Sequence, residues 1–323
     1  MRPLVSVIIP TYNRSRWVVE AINSVLAQTM TDREIIVVDD GSTDDTMETL
    51  VQYKRKIRMV SRRNGGPAAA RNYGTMIALG EWVCFLDSDD EWGPRTLESH
   101  VNAVAAHPKT CVHLVNARLQ RRSSGMVDLF EHTGFAPHCR EVIERPLNLQ
   151  LRYGMAWPQC AMIRRRTFEH IGGFDERFRV LYEDFDLFCR LGTQGPWAFE
   201  PYPHARILRR IDDIPSVSSN RFSDPLGVAQ AMVLIFTKLA MRDDLTDEER
   251  EIVQRRLVQC RRGWGVALMR NGAKREARHV FAHCFQQSHE GSDVLRYVTT
   301  FMPRSVADSA ARMHARRNHN RRD

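Results

Sequence analysis

The stretch EIIVVDDGST, residues 34–43, decides the fold. A continuous β-branched run such as Ile35–Val38 reads as a strand covered on both faces, the habit of parallel sheets. It ends abruptly in two carboxylates, a glycine and two hydroxyls. The same grammar recurs twice. Val5–Ile9 runs into Pro10-Thr-Tyr-Asn13, and Trp82–Leu86 runs into Asp87-Ser-Asp-Asp90. Between these strands lie helical patterns at 16–28, where Val18, Ile22, Val25 and Leu26 share a face, at 43–53, and at Pro67–Leu79. Ile57–Val60 is a short third strand. The β-α-β-α-β-α-β order predicts an α/β domain with a mostly parallel sheet covered by helices on both faces. Ligands bind such sheets beyond the carboxyl ends of the strands, so the three polar strand ends are expected along one edge.

Further along, 97–106 is helical, Cys111–Val115 is a strand, 159–170 is a strand-turn-helix and 183–191 is a helix. Beyond 220 the character changes. Thr246-Asp-Glu-Glu249 has capping-box spacing before an apolar-periodic run, Asn271-Gly272 is a stop signal, and 273–287 is helical again. The organisation read from this is an α/β domain over 1–219, in halves 1–107 and 108–219, then a helical-hairpin appendage over 220–302 and a basic, mobile tail over 303–323.

Composition narrows the class. The 323 residues are 43% hydrophobic and 27% charged, ordinary for a globular chain. The net charge of +8 suits anionic partners without choosing among them. No apolar run approaches the roughly 20 residues of a membrane helix. Met1-Arg2-Pro3 leads straight into a strand, so no signal peptide is expected. The seven cysteines form no CxxC pair, which argues against a zinc ribbon or disulfide scaffold and for a reducing cytoplasm.

Asp39 and Asp40 admit a bland reading, a turn that caps the next helix. A dinucleotide-binding reading fails, because strand one is followed by PTYNRSRW with no glycine. An EF-hand loop fails too, because Ile36 stands where an aspartate belongs. Asp87 and Asp89 stand at i and i+2, so in an extended chain they point the same way. Two convergent carboxylates without thiols or imidazoles suit Mg²⁺ or Mn²⁺; the alternative is a solvated turn.

VSVIIPTYNR, EIIVVDDGSTDDT, GGPAAARNYG and FLDSDD, followed by GGFDERFRVLYEDFDLFCRL at 172–191, resemble the inverting family 2 glycosyltransferases of the GT-A fold. The resemblance covers about residues 4–215. It implies transfer of a sugar from a nucleotide-diphosphate donor, usually UDP-linked, to a hydroxyl acceptor with inversion. On that footing Pro10 and Tyr12 line the base pocket. Asp40 accepts from uracil, and Asp39 contacts the ribose or braces the turn. Arg71 reaches the nucleotide and diphosphate. Asp87, Ser88 and Asp89 form a DXD-like motif in which Asp89 is the metal ligand and Asp87 the sugar or ribose contact. Asp184 is the base that deprotonates the acceptor, with Glu183 as runner-up. The resemblance departs at Leu208-Arg-Arg-Ile-Asp-Asp213, where the family often carries a histidine. Asp212 is the candidate third metal ligand there, or Arg209 and Arg210 hold the diphosphate instead.

His279 and His283, beside Cys284, have a zinc-compatible i, i+4 spacing but no further ligand pair, and read as surface or structural residues. The helical appendage is expected to serve as an acceptor platform, a homodimer contact or a lid. A glycan, glycolipid or peptide acceptor is expected, and no nucleic acid. The location expected is cytoplasmic, with peripheral contact at the inner membrane face through the basic tail. Competing readings are a nucleotidyltransferase, which would want a Gly-rich phosphate loop, a nucleic-acid binder using the basic tail, and a sugar-nucleotide binder without activity.

Overall fold

The computed structural model describes residues 2–121, 125–135, 137, 140–178, 182–208 and 224–301. The chain divides into two compact units, Met1–Asn220 and Arg221–Asp323.

The first unit is built on one sheet. Its strands are β1 (Val5–Thr11), β2 (Arg33–Asp39), β3 (Arg58–Ser61), β4 (Trp82–Phe85), β5 (Glu91–Trp92), β6 (Val112–Arg121), β7 (Gly125–Asp128), β8 (Glu141–Ile143), β9 (Ala161–Arg164) and β10 (Trp197–Leu208). They run in the order β3-β2-β1-β4-β9-β6-β10-β5, with β7 on β6 and β8 on β10. The β3-β2-β1-β4 half is parallel throughout. All seven residues of β1 are buried, as a parallel strand covered on both faces requires. The second half is mixed: β9 runs antiparallel to both β4 and β6, while β10 runs parallel to β6. The α/β sheet expected from the sequence is present, parallel throughout its first half and mixed in its second.

Because β1, β2 and β4 are parallel, their carboxyl ends fall on one edge. Thr11 pairs with Asp39 and Ile8 with Phe85, so Tyr12, Asp40 and Asp87 all emerge there. Two helices matter for that edge. In α1 (Val18–Leu26) the buried positions are Val18, Ala21, Ile22 and Val25, one face at helical spacing. Helix α3 (Pro67–Met76) opens with proline at its first turn behind Gly66, whose φ of 90° suits glycine. It lies so close to the sheet that a Cβ on Gly74 would sit 2.5 Å from Ile8 Cγ2 and 3.2 Å from Val38 Cγ2. The short helix α2 (Thr46–Leu50) runs between them, and α4 (Thr96–Ala106) follows β5. The second half adds α5 (Leu129–Thr133), α6 (Leu147–Tyr153), α7 (Arg165–His170) and α8 (Glu183–Leu191).

The second unit differs from the expected hairpin. Its described residues form four helices: α9 (Pro225–Ala240), α10 (Asp247–Arg270), α11 (Lys274–Ser288) and α12 (Gly291–Thr299). The Thr246–Glu249 capping box forms in both directions. Phe281 of α11 packs with Leu268 and Ala277, and Gly265 lets its ring approach α10. His283 Nε2 lies 3.0 Å from Arg261 Nη1, a cationic neighbour unsuited to a zinc site. The tail at 303–323 lies outside the described residues. No described helix is long and apolar enough to cross a membrane.

Replacing Gly74 by valine is expected to wedge α3 off β1 and β2. Overpacking of this kind costs about 2 kcal/mol, to be read as a lower denaturant midpoint. A midpoint unchanged within error would show that α3 has slack on the sheet.

Candidate active site

The edge is assembled from three loops and one helix start. Tyr12, 45% exposed, stands past the end of β1, while Pro10 is buried within it. Asn13 adopts a left-handed backbone, φ 51°. Its amide donates to Ser42 Oγ at 2.9 Å, and its Oδ1 accepts from the Thr43 amide at 2.8 Å. These bonds stitch the first strand-end loop to the second.

Asp39 and Asp40 are both buried. Asp39 accepts from the Ser42 amide at 3.2 Å and from Ser61 Oγ at 2.9 Å. Asp40 accepts from the Gly65 and Gly66 amides, at 3.1 and 2.7 Å, and from Arg62 at 3.1 Å. Burial raises the Asp40 carboxyl above the ordinary range, opposed by the two glycine amides and Arg62. In this arrangement Asp40 holds the GGP turn that launches α3.

The run after β4 departs from the geometry read off the sequence. Asp87 and Asp89 do not meet by extended-chain alternation. A turn closes over 87–90, with the Asp90 amide donating to the Asp87 carbonyl at 3.0 Å. The turn also brings in Asp90. Asp87, Asp89 and Asp90 offer carboxylate oxygens all within 4.8 Å of one another. Ser88, in the middle of the turn, is buried. An all-oxygen set fits a hard cation such as Mg²⁺ or Mn²⁺. Asp212, Arg209 and Arg210 lie outside the described residues.

Arg71, which the resemblance places near the nucleotide and diphosphate, has a buried side chain that makes two internal ion pairs. Nη2 donates to Asp87 Oδ1 at 2.6 Å and Nη1 to Glu183 Oε1 at 3.2 Å. Its guanidinium carbon lies 5.2 Å from the Phe174 ring centroid. Burial alone would lower its pKa, but the two carboxylates outweigh this and hold it above the ordinary arginine value. The other Asp87 oxygen accepts from Gln159 Nε2 at 2.5 Å. Gln159 Oε1 is buried and has no hydrogen-bond partner among the described residues. Gln159 lies outside the quoted motifs, and Asn72, within GGPAAARNYG, has no role assigned by them. Asn72 receives the Phe174 amide at 2.9 Å and donates to the Phe174 carbonyl at 2.9 Å. Arg71 and Asn72 together clasp the segment that leads to α8.

Tyr182 caps α8 with a left-handed φ of 70°, a strained conformation of the kind that collects at functional sites. It turns Glu183 and Asp184 into the first turn. Glu183 is ion-paired with Arg71. Asp184 accepts from the Phe185 amide at 2.7 Å. Its carboxyl is pushed up to about 7, by burial first and by the Glu183 charge second, with Arg71 opposing. A carboxyl poised there can take a proton near neutral pH.

Residues 6–172 match the sequence profile of the family described as Glycosyl transferase family 2. An uncharacterized glycosyltransferase of Rickettsia typhi is 32% identical over 190 residues, 58% of each chain. Escherichia coli chondroitin synthase is 29% identical over 199 residues, 60% of this chain and 27% of that enzyme. The match to a Rickettsia felis relative spans 15% of its length and 27% of this chain, so curated relatives extend well beyond what is matched. Among solved structures, S. aureus TarS 1-349 in complex with UDP-GlcNAc superposes with a TM-score of 0.68 at 20% identity, covering 92% of this chain and 90% of that one. The mannosyltransferase PcManGT of Pyrobaculum calidifontis, in complex with GDP-Man and Mn²⁺, gives 0.56 at 18% identity, covering 96% and 87%. At these identities the structures show the fold alone, which is GT-A.

The Asp184 carboxyl is expected to titrate near pH 7 in the ligand-free protein, followed by carbon-13 NMR of labelled aspartate. Arg71→Gln removes a charge that favours the carboxylate, so the midpoint moves upward. A midpoint near the ordinary aspartate value of about 3.9 would contradict the burial argument.

Proposed function

The chain belongs to glycosyl transferase family 2, and from that premise we propose that it moves a sugar from a nucleotide-diphosphate donor to an acceptor hydroxyl by direct displacement with inversion. The reading is supported by one observation: a carboxylate trio at the end of β4 and the Glu183-Asp184 pair at the start of α8, linked by one buried arginine that bonds Asp87 and Glu183. Inversion by direct displacement needs a charge-stabilised leaving group on one side of the anomeric carbon and a base on the other.

Asp184 accepts the acceptor's proton, and its raised pKa suits that task. Glu183, ion-paired with Arg71, orients the helix start, and its charge helps to raise the neighbouring Asp184 carboxyl. Tyr12 offers its exposed ring to the nucleobase beside Pro10. Asp39 and Asp40 shape the nucleoside floor through Ser42 and the Gly65-Gly66 turn. Asp89 and Asp90, with Asp87, would hold Mg²⁺ or Mn²⁺. When bound, that ion supplies positive charge to the departing diphosphate. Asp212 is kept as a candidate third ligand.

The donor proposed is a UDP-sugar, in keeping with the TarS complex; the GDP-Man complex makes a guanosine donor the alternative to exclude. A glycan or glycolipid hydroxyl is the proposed acceptor, supported by the chondroitin synthase likeness, with a peptide hydroxyl as the other class. A reducing cytoplasmic location is part of the proposal, since the six described cysteines are all free thiols.

Titration calorimetry of UDP, GDP and ADP, each with Mn²⁺ and with EDTA, tests the donor side. UDP binding that needs Mn²⁺ and is lost in Asp89→Ala is expected. A preference for GDP would replace the donor, and binding indifferent to metal would remove the ion from the account. On the acceptor side, Asp184→Asn should keep donor affinity and lose turnover by roughly 10²-fold or more. Turnover near wild type would move the base elsewhere.

A further inference from the structure

Helix α12 is inside out. Its polar side faces the rest of the second unit. Asp293 is fully buried and receives Arg262 through Nε at 2.8 Å and Nη2 at 2.7 Å, Arg296 Nη1 at 2.9 Å and Ser288 Oγ at 2.8 Å. These donors hold its carboxyl below the ordinary range against the cost of burial. Thr300, just past the helix, is also fully buried and accepts from Arg278 at 3.1 Å. Asp293, Arg296 and Thr300 stand at i, i+3 and i+7, one helical face.

The opposite arc is apolar and turned outward. Val294, Leu295, Tyr297, Val298 and Phe301 are all exposed, Phe301 at 59%. At 100° per residue they span one continuous side of the helix. Helices of globular proteins bury such a face. Here the buried hydrogen-bonded aspartate fixes the opposite orientation, so the exposure is built into the packing. Contiguous outward apolar faces mark contact with a partner or a membrane.

We propose that this face of α12 lies in the headgroup region of an anionic lipid bilayer. Charge selects lipid over a second copy. Nearly all of the chain's net charge of +8 is carried by Arg221–Asp323, including six arginines after Met302. Two copies brought together through α12 would repel. An anionic bilayer attracts the same charge and receives the apolar side chains. Arg278, whose guanidinium carbon is 4.1 Å from the Phe301 ring centroid, sets a cation beside the apolar arc, as interfacial helices require. Insertion would hold the enzyme at a surface where lipid-linked acceptors reside, but the docking stands on α12 alone and is separable from the transfer reaction.

The test uses the full chain in a flotation assay. Vesicles of phosphatidylcholine alone are compared with vesicles containing phosphatidylglycerol in about equal part. The protein is expected to float with the anionic vesicles and not with the neutral ones. The variant carrying Leu295→Asp, Val298→Asp and Phe301→Asp should lose at least about tenfold in partitioning. The substituted positions are exposed, and an unchanged thermal midpoint and unchanged UDP titration show that the variant is folded. Equal flotation of variant and wild type would overturn the proposal, leaving the basic residues to act without the helix. Failure of wild type to bind anionic vesicles would also overturn it. So would a wild-type dimer on size exclusion that the variant dissolves, which would assign the face to a second copy.

Discussion

The ion pair network centred on Arg71 is the constraint on which the site depends. A guanidinium buried to this extent is tolerable only when carboxylates and hydrogen bonds replace its lost hydration. Asp87 and Glu183 supply them from two separate stretches of the first unit's sequence, sixteen and 112 residues after Arg71. Helix α3 carries the arginine, and Gly74 lets that helix sit directly on β1 and β2. The turn after β4 presents Asp87, and the strained Tyr182 presents Glu183. If any of these shifts, a charge is left buried and unpaired. The strand-end edge and the start of α8 are therefore one electrostatic unit.

This arrangement divides the labour among the carboxylates. Three aspartates in one turn would repel each other strongly without compensation. One of them, Asp87, is compensated from within by Arg71 and Gln159. Asp89 and Asp90 are arranged with it so that an oxygen-preferring cation fits. At α8 the neighbours Glu183 and Asp184 have contrasting surroundings. Glu183 is held by the arginine, and Asp184 is covered and pushed toward neutrality. Paired carboxylates with contrasting surroundings are how one site holds both an ionised group and a proton acceptor near pH 7.

Much of this was legible in the sequence because strong local signals coincide with the final structure. The runs 5–9, 35–38 and 82–86 are apolar on both sides, and they became β1, β2 and β4. Thr246 and Glu249 formed their capping box. What stayed hidden depends on tertiary geometry. Strand β10 carries Glu200, Pro201 and Pro203 and shifts register between Glu200 and Ala205, so no period of two marks it. The turn at 87–90 overrode the alternation that paired Asp87 with Asp89 alone. Arg71 sits in a motif that suggests a ligand contact, and nothing local to residues 67–76 tells of Glu183. Helix α12 has an ordinary amphipathic sequence, and only the partners of Asp293 reveal which side faces in.

The most direct measurement is a double-mutant cycle on unfolding free energy with Arg71→Gln, Glu183→Gln and the pair. If Arg71 binds the donor edge to α8, the two substitutions are coupled by about 1–3 kcal/mol, with the double variant less damaged than the sum of the singles. Additive losses would contradict the account, because they would mean that arginine and glutamate stabilise the protein independently and that the two sides of the site are not joined through them.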